Sequence, residues 1–567
     1  MLISLLACAW LTPADLAARL GGDSTAPDDT GLPDTDAPDT DCVTSTWYAD
    51  GDSDHYGDDG DTLDACEQPS GYSSVGGDCD DDDAAVHPEQ IETCGNGTDE
   101  DCDGSDASCV DGDVEVASVG ALSMGAGSGD ETGTRLLVGD YDQDGTDDWV
   151  TTAPFSAAGA ADGGAIYVMD GDSGFGTPLA GTAMAAFVGG AAGDFTGVGV
   201  GFAGSFLGDQ GCNNLVFAGP GYDHGGYGDV GFVGLVACDR LGNYDFGVNT
   251  EVIEVGFYQT LPGAGLGAAV AGSIAFSDHA AGLDDLALGA PGYNGGDGAV
   301  WLVYGEEVDD TDKAYALDVT RQSMRYDAES AADYVGFSVA GLGDHTGDGF
   351  HDFATGAIGV AAAASGKVHI VAGGGQATGF ASLGDATLTL YGESSGDEFG
   401  YAIAALGDVD GDGLADLAVT ARQLDHGSGR AYVVLGTARD RTFVGYADIA
   451  DYAHTRVLGD AGTATFGSSV AAVDVDDDGN PELVVGATQE QTLSNGGGAV
   501  YVMSGLGAGT YSTTEAAAVL YRADPDGVFG RSVAPLSNGG HSWLLVGNSS
   551  EDGEASDAGG VWSVPLF

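Results

Sequence analysis

Positive charge is almost missing from this chain. It has 14 Lys plus Arg against 91 Asp plus Glu, a formal net charge of −77. Phosphate backbones are held by basic patches, so nucleic acid is excluded as a partner. An anionic membrane surface would repel the chain as well. No apolar stretch is long enough to span a bilayer. The ten histidines are scattered, with no two at ligand spacing. HExxH, G-x-S-x-G and the phosphate-cradling GxxxxGK[ST] are all missing, so no catalytic constellation is expected and the chain is read as a non-enzyme.

What the chain does contain is glycine, aspartate and short apolar runs. Residues Asp408 to Asp416 read DVDGDGLAD, with carboxylates at positions 1, 3, 5 and 9 and Gly413 at position 6. A hard cation such as calcium takes six to eight oxygens, and alternating carboxylates on a tight turn supply several. Apolar runs flank the loop: AIAAL before it, LAVTA after it, then a Gly-rich turn and RAYVV. The unit recurs. Well-formed loops start at Asp140, Asp344, Asp408 and Asp474, and worn ones near Asp209, Asp278 and Asn538, 64 to 69 residues apart. A fixed period of this kind marks a repeat architecture. Short strands with Gly/Asp turns at regular spacing indicate an all-β array, and radial closure would leave no long exposed edge.

Four loops are candidate calcium sites. They are Asp140, Asp142, Asp144 and Asp148; Asp344, Thr346, Asp348 and Asp352; Asp408, Asp410, Asp412 and Asp416; and Asp474, Asp476, Asp478 and Glu482. Asp and Gly are also plain turn formers. Four copies in register, each with glycine at position 6, favour calcium in a structural role, cross-linking carboxylates that otherwise repel. The second repeat unit lacks these acids but places Cys212 in the loop and Cys238 after its third strand. A disulfide there is the expected substitute staple.

Phe399-Gly400, Phe466-Gly467 and Phe529-Gly530, the DxDxDG loops and the terminal GAVYV-type strands resemble FG-GAP repeats, those of the integrin α head. The resemblance covers residues 113–567 and implies a seven-bladed β-propeller with calcium between the first two strands of a blade. The last unit stops after its third strand, so Val114 to Ala117 is expected to supply the outer strand of the seventh blade. The resemblance also implies binding or adhesion at the cell exterior, toward an extracellular protein or glycan. A lectin, an enzyme with its site at the central channel, and a structural surface-layer component are the alternatives. The turns GYDHGGYG (Tyr222, Asp223, His224, Tyr227) and GYNGG (Tyr293, Asn294) read as solvated turns.

Ahead of the repeats, residues 42–110 are dense in Asp and Cys. Asp50, Asp52 and Asp54 alternate as in a calcium loop, and Asp80 lies in a GDCDD segment. So few apolar groups need staples. The segments Gly77 to Asp81 and Pro88 to Cys94 resemble the MopE-type metal-binding motif of bacterial surface proteins, which implies cation binding. Cys66 with Cys79, Cys94 with Cys102 and Cys42 with Cys109 are the expected pairs. Residues 9–41, rich in Asp, Thr and Pro, read as an extended tether. Residues 1–8, ending Leu6-Ala7-Cys8, resemble a lipoprotein signal. A lipid on Cys8 would be the sole membrane contact of a secreted or surface chain.

Overall fold

The computed structural model describes residues 45–88, Cys102 and 112–566, leaving out 53, 67, 82, 85, 172–174, 208–212, 239–240, 246–252, 278–282, 306–313, 317–322, 360–364, 375–377, 423–427, 439–444, 460–462, 476–480, 491–495, 505–506, 524–526, 539–540 and 552–557. The signal and tether segments, Cys42, Cys94, Cys109 and Cys212 lie outside them. The chain divides into two compact units: residues 1–92 with 99–105, and 93–98 with 106–567.

The smaller unit holds a three-stranded antiparallel sheet, with Ser45–Ala49 between Asp58–Ala65 and Tyr72–Ser73. Apolar cover is thin. Tyr56 stacks on His87 with centroids 4.8 Å apart. A disulfide joins Cys79 to Cys102. This overturns the expected pairs Cys66–Cys79 and Cys94–Cys102, although Cys66 is itself disulfide-bonded. Proximity in sequence misled: the GDCDD turn is stapled to a cysteine 23 residues away.

The larger unit is all-β. Among the described residues it forms seven sheets of four or five strands. The fifth sheet shows the pattern. Its first four strands, Phe399–Gly407, Asp416–Ala421, Arg430–Val434 and Thr455–Leu458, run antiparallel in chain order. The second strand is buried along its whole length, as are Asp148–Ala153, Asp285–Ala290 and Phe353–Ala357 in their own sheets. Sheets cover both of its faces, which is why the sequence there is a continuous apolar run rather than an alternation. The innermost strands meet in a closed ring: Leu136–Gly139 touches both Gly199–Phe202 and Phe529–Asn538. The architecture is a β-propeller.

The Phe-Gly pairs fasten neighbouring sheets. Phe399, Phe466 and Phe529 are fully buried. Phe399 meets the Tyr432 ring edge-on at 5.6 Å and packs with Val368 and Ile370 of the preceding sheet. Gly400 holds φ +89, and a Cβ there would lie 2.7 Å from the Lys367 carbonyl oxygen. Only glycine serves at such a position. A second recurring acid stands two residues before Phe399-Gly400 and before the corresponding Thr196-Gly197 and Val335-Gly336. Asp194, Asp333 and Asp397 accept the amides of Ala191, Ser330 and Ser394, pinning the turn that enters each sheet.

The first six sheets each carry a fifth, parallel strand lent by the next unit. Gly509–Ser512, for example, pairs with Thr455–Leu458, takes one helical turn at Thr513–Glu515, and continues as the fourth strand Ala518–Tyr521 of its own sheet. The two ends of the repeat region repeat this connector. Gly112–Glu115 pairs parallel with Ala518–Tyr521 of the sixth sheet, Val116–Ser118 makes the turn, and Ala121–Met124 pairs with Gly560–Pro565 as the outer strand of the seventh. Closure therefore comes from the residues ahead of the first repeat. The closing strand is Ala121–Met124, not Val114 to Ala117, which belong to the lent strand and its turn. DVEVAS has the apolar alternation of a fourth strand, but the connector needs a lent strand first. Arg522 locks the joint, bonding Glu115 at 2.9 Å and Glu551 at 2.8 Å.

Candidate metal centres

Each acidic loop sits between the first and second strands of its sheet. At position 9 a buried acid opens the second strand. Asp416 Oδ2 accepts the Val409 amide at 2.8 Å, and Oδ1 accepts the Gly436 amide, past the third strand, at 2.7 Å. Asp148 does the same with Tyr141 (2.9 Å) and Gly171 (3.3 Å). Asp352 does so with His345 (2.9 Å), Thr346 (2.8 Å) and Gly373 (2.8 Å). Glu482 takes the role with a longer side chain, accepting from Val475 at 2.8 Å.

Position 1 shapes the turn. Asp408 accepts the amides of Asp412 (3.0 Å) and Gly413 (2.8 Å), and Asp344 those of Asp348 (3.0 Å) and Gly349 (2.8 Å). Asp140 accepts from Gln143 and Gly145. Gly413, Gly349 and Gly145 all hold positive φ, near +90. Position 3 bonds position 5: Asp410 accepts the Asp412 amide at 3.1 Å, and Asp142 the Asp144 amide at 3.2 Å.

The result brings like charges together. Oxygens of Asp140, Asp142 and Asp148 all lie within 4.8 Å of one another, and so do those of Asp408, Asp410 and Asp416. Each such pair of charges repels by about 1–3 kcal/mol at effective dielectric constants between water and a protein surface. Burial pushes Asp148 up to about 6 and Asp352 up to about 7, and raises Asp416 and Asp142 as well. Asp144 moves the other way, lowered by hydrogen bonds from Thr146. The loop at Asp344 keeps the turn, but Thr346 replaces the position-3 acid. Thr346 Oγ1 is buried, no hydrogen bond of good geometry reaches it, and it lies close enough to Asp352 to favour its charged form. Asp476 and Asp478 lie outside the described residues.

The smaller unit holds a separate cluster. Oxygens of Asp50, Asp52 and Asp54 lie within 4.8 Å of one another. Asp78 is buried, and the charges of Asp54, Asp52 and Asp81 act on it. Burial, then neighbouring charge, raises both Asp52 and Asp78. Asp52 Oδ2, Asp54 Oδ2 and Asp78 Oδ2 are buried without hydrogen-bond partners. Uncompensated buried carboxylate oxygens are costly, and a cation is the group that fits them. Asp80, expected in this set, is exposed; its amide donates to Asp78 Oδ1 at 2.9 Å. Asp78 stands in its place. In Asp-Cys-Asp the residue before the cysteine faces inward, a register that spacing does not reveal.

Two residues escaped the sequence reading. Asp285 is fully buried and accepts the amides of Ser277 (2.9 Å) and Gly305 (3.0 Å), the position-9 pattern in a sheet whose loop lacks alternating acids. Buried Asn214 opens the corresponding strand of the second sheet. The available signal was a lone polar residue at the head of an apolar strand. Cys238 is disulfide-bonded. Peptide mapping without reduction is expected to link it to Cys212, and a Cys238 peptide linked elsewhere would refute the staple. Asp223, His224, Tyr227 and Asn294 are exposed, as expected of solvated turns, while Tyr222 and Tyr293 are partly covered. The His224 ring lies tilted against Tyr258 at 4.1 Å, and Tyr293 packs on Trp301 at 5.0 Å under the Arg325 guanidinium. Tyr227 remains about half exposed.

The FG-GAP repeat matches at residues 132–169, 399–434 and 466–503. The MopE-type metal-binding motif matches at residues 78–107. Integrin alpha-IIb of Homo sapiens is 37% identical over 174 residues, 29% of this chain and 16% of the relative; that of Mus musculus is 36% identical over the same length. The chain thus spans about a sixth of the length of the curated relatives it matches. A solved structure titled "Structure of Dos1 propeller" aligns over 79% of this chain and 96% of its own, at 11% identity and TM-score 0.38. The chain is a β-propeller built with FG-GAP repeats. Over 174 residues it is similar to integrin alpha-IIb, and it carries a MopE-type motif ahead of the propeller in sequence.

Proposed function

We propose that this chain is a calcium-loaded binding protein of the cell exterior, of the adhesion type. The observation that carries the reading is the recurrence of one loop geometry. At Asp140 and Asp408 three carboxylates converge on a glycine-turned loop at the same place in the sheet. Oxygen-only ligands in number on a turn suit calcium better than magnesium, which demands stricter geometry. The similarity to integrin alpha-IIb supports an extracellular protein partner and a surface or secreted location. No helix among the described residues is long and apolar enough to cross a membrane.

In this reading the ions stiffen one end of the sheets, and the turns between second and third strands, at the other end, are left for recognition. Immobilised protein is expected to retain extracellular matrix proteins or glycans in calcium and release them in chelator. Equal retention in both would contradict a calcium-dependent binding role. In the smaller unit, Asp52→Asn with Asp78→Asn is expected to remove one equivalent of bound calcium from the full chain, read by titration calorimetry. Unchanged stoichiometry would remove that cluster from the account.

A further inference from the structure

The innermost strands of the propeller enclose a cavity of about 260 Å³, lined among others by Arg135, Arg531, Tyr401, Phe337, Ser468 and Val198. Its arginines stand apart from the other cations. Eight Lys and Arg residues are described, and six make ion pairs: Arg325 with Asp327, Lys367 with Asp333 and Glu329, Arg422 with Glu398, Arg430 and Arg456 with Glu393, and Arg522 with Glu115 and Glu551. Among the described residues, Arg135 and Arg531 are ion-paired with no carboxylate. Scarcity cannot be the reason, because acids outnumber bases 91 to 14.

The two side chains are held ready. Arg135 Nε donates to the Val198 carbonyl at 3.2 Å, leaving its terminal nitrogens uncommitted. Arg531 Nη1 donates to Tyr401 Oη at 3.4 Å. Arg422 Nη1 donates to the same oxygen at 2.8 Å while its guanidinium is paired with Glu398. Tyr401 Oη thus accepts twice, and its own proton is left to donate. Solvent reaches Arg135 through the cavity while protein surrounds it. The protein around it, and then the nearby Arg531 charge, lower its pKa. Guanidinium forks match oxyanions in geometry.

We infer that the central cavity binds a small oxyanion, a sulfate or a carboxylate group, through Arg135, Arg531 and Tyr401. The calcium loops play no part in this site. Titration calorimetry on the calcium-loaded chain would use sulfate and acetate as separate probes, against chloride at matched ionic strength. One saturable equivalent is expected for at least one probe, and which probe binds distinguishes a tetrahedral from a planar ligand. Arg135→Gln and Arg531→Gln are each expected to weaken it roughly tenfold or more, the loss of a charge-assisted bond. Both variants should melt as wild type does in chloride. No saturable binding of either probe, or binding unchanged in both variants, overturns the inference. Should a variant fail to fold, the wild-type chain decides. Where sulfate is the probe that binds, a crystal grown in selenate must show selenium against Arg135 and Arg531, and selenium elsewhere or nowhere overturns the site; where acetate binds, bromoacetate takes its place with the bromine read in the same way.

Discussion

Asp416→Ala is expected to destabilise the propeller by about 2–6 kcal/mol whether or not calcium is present. The variant strands two amide donors, the buried one of Gly436 and the half-buried one of Val409, and each unsatisfied buried group costs about 1–3 kcal/mol. Asp285→Ala is expected to behave alike, because Asp285 makes the same two bonds to Ser277 and Gly305 in a sheet without an acidic loop. The position-9 acid is then an anchor first and a ligand second. Urea unfolding in calcium and in chelator checks this. If Asp285→Ala cost nothing, the anchoring role would be wrong. If Asp416→Ala were harmless in chelator alone, the acid would act only as a ligand.

Chelation at neutral pH is expected to cost about 2.7 kcal/mol for each loop that was held at free calcium a hundred times its Kd. The cost depends on pH, and the direction follows from burial. Asp148 and Asp352 sit at about 6 and about 7 without an ion, well above the ordinary aspartate value near 3.9. The ion-free fold thus keeps protons that the unfolded chain has lost. Their stabilising contribution is whole below about pH 4 and is lost as pH rises through 6 and 7. Calcium displaces these protons, so its affinity rises over the same range and its binding releases protons. Calcium titrations at pH 6, in buffers of different ionisation enthalpy, are expected to show proton release. Asp352→Asn is expected to reduce the pH slope of the chelated protein. Zero release together with an unchanged slope would mean these carboxylates are already ionised.

The repeat period made the architecture legible, since each Phe-Gly pair and each acidic loop announces the same local geometry. The strands were legible because the second and third of each sheet are buried on both faces and read as unbroken apolar runs. Closure was legible in kind but not in register: the lent strand Gly112–Glu115 and the closing strand Ala121–Met124 are both short and weakly patterned, and only the sheet pairing tells them apart. In the metal centres, alternation pointed to Asp408 and Asp410 because those acids face one loop. Asp285 carried only the faint signal of a polar residue at the head of an apolar strand, and Asp78 lay within the motif segment Gly77 to Asp81, where spacing did not tell it from Asp80 as the ligand. The arginines of the cavity were invisible for another reason. Arg135 and Arg531 are nearly 400 residues apart in sequence and meet only when the ring closes.

The most direct test is thermal unfolding of the full chain against calcium concentration, with Asp410→Ala beside wild type. Asp410 bonds only the Asp412 amide, so its loss removes a ligand with little cost to the turn. A melting temperature that climbs with calcium, and climbs less in Asp410→Ala while matching wild type in chelator, is the predicted result. A melting temperature indifferent to calcium would reduce the acidic loops to turns and take away the chemical basis of the proposed function.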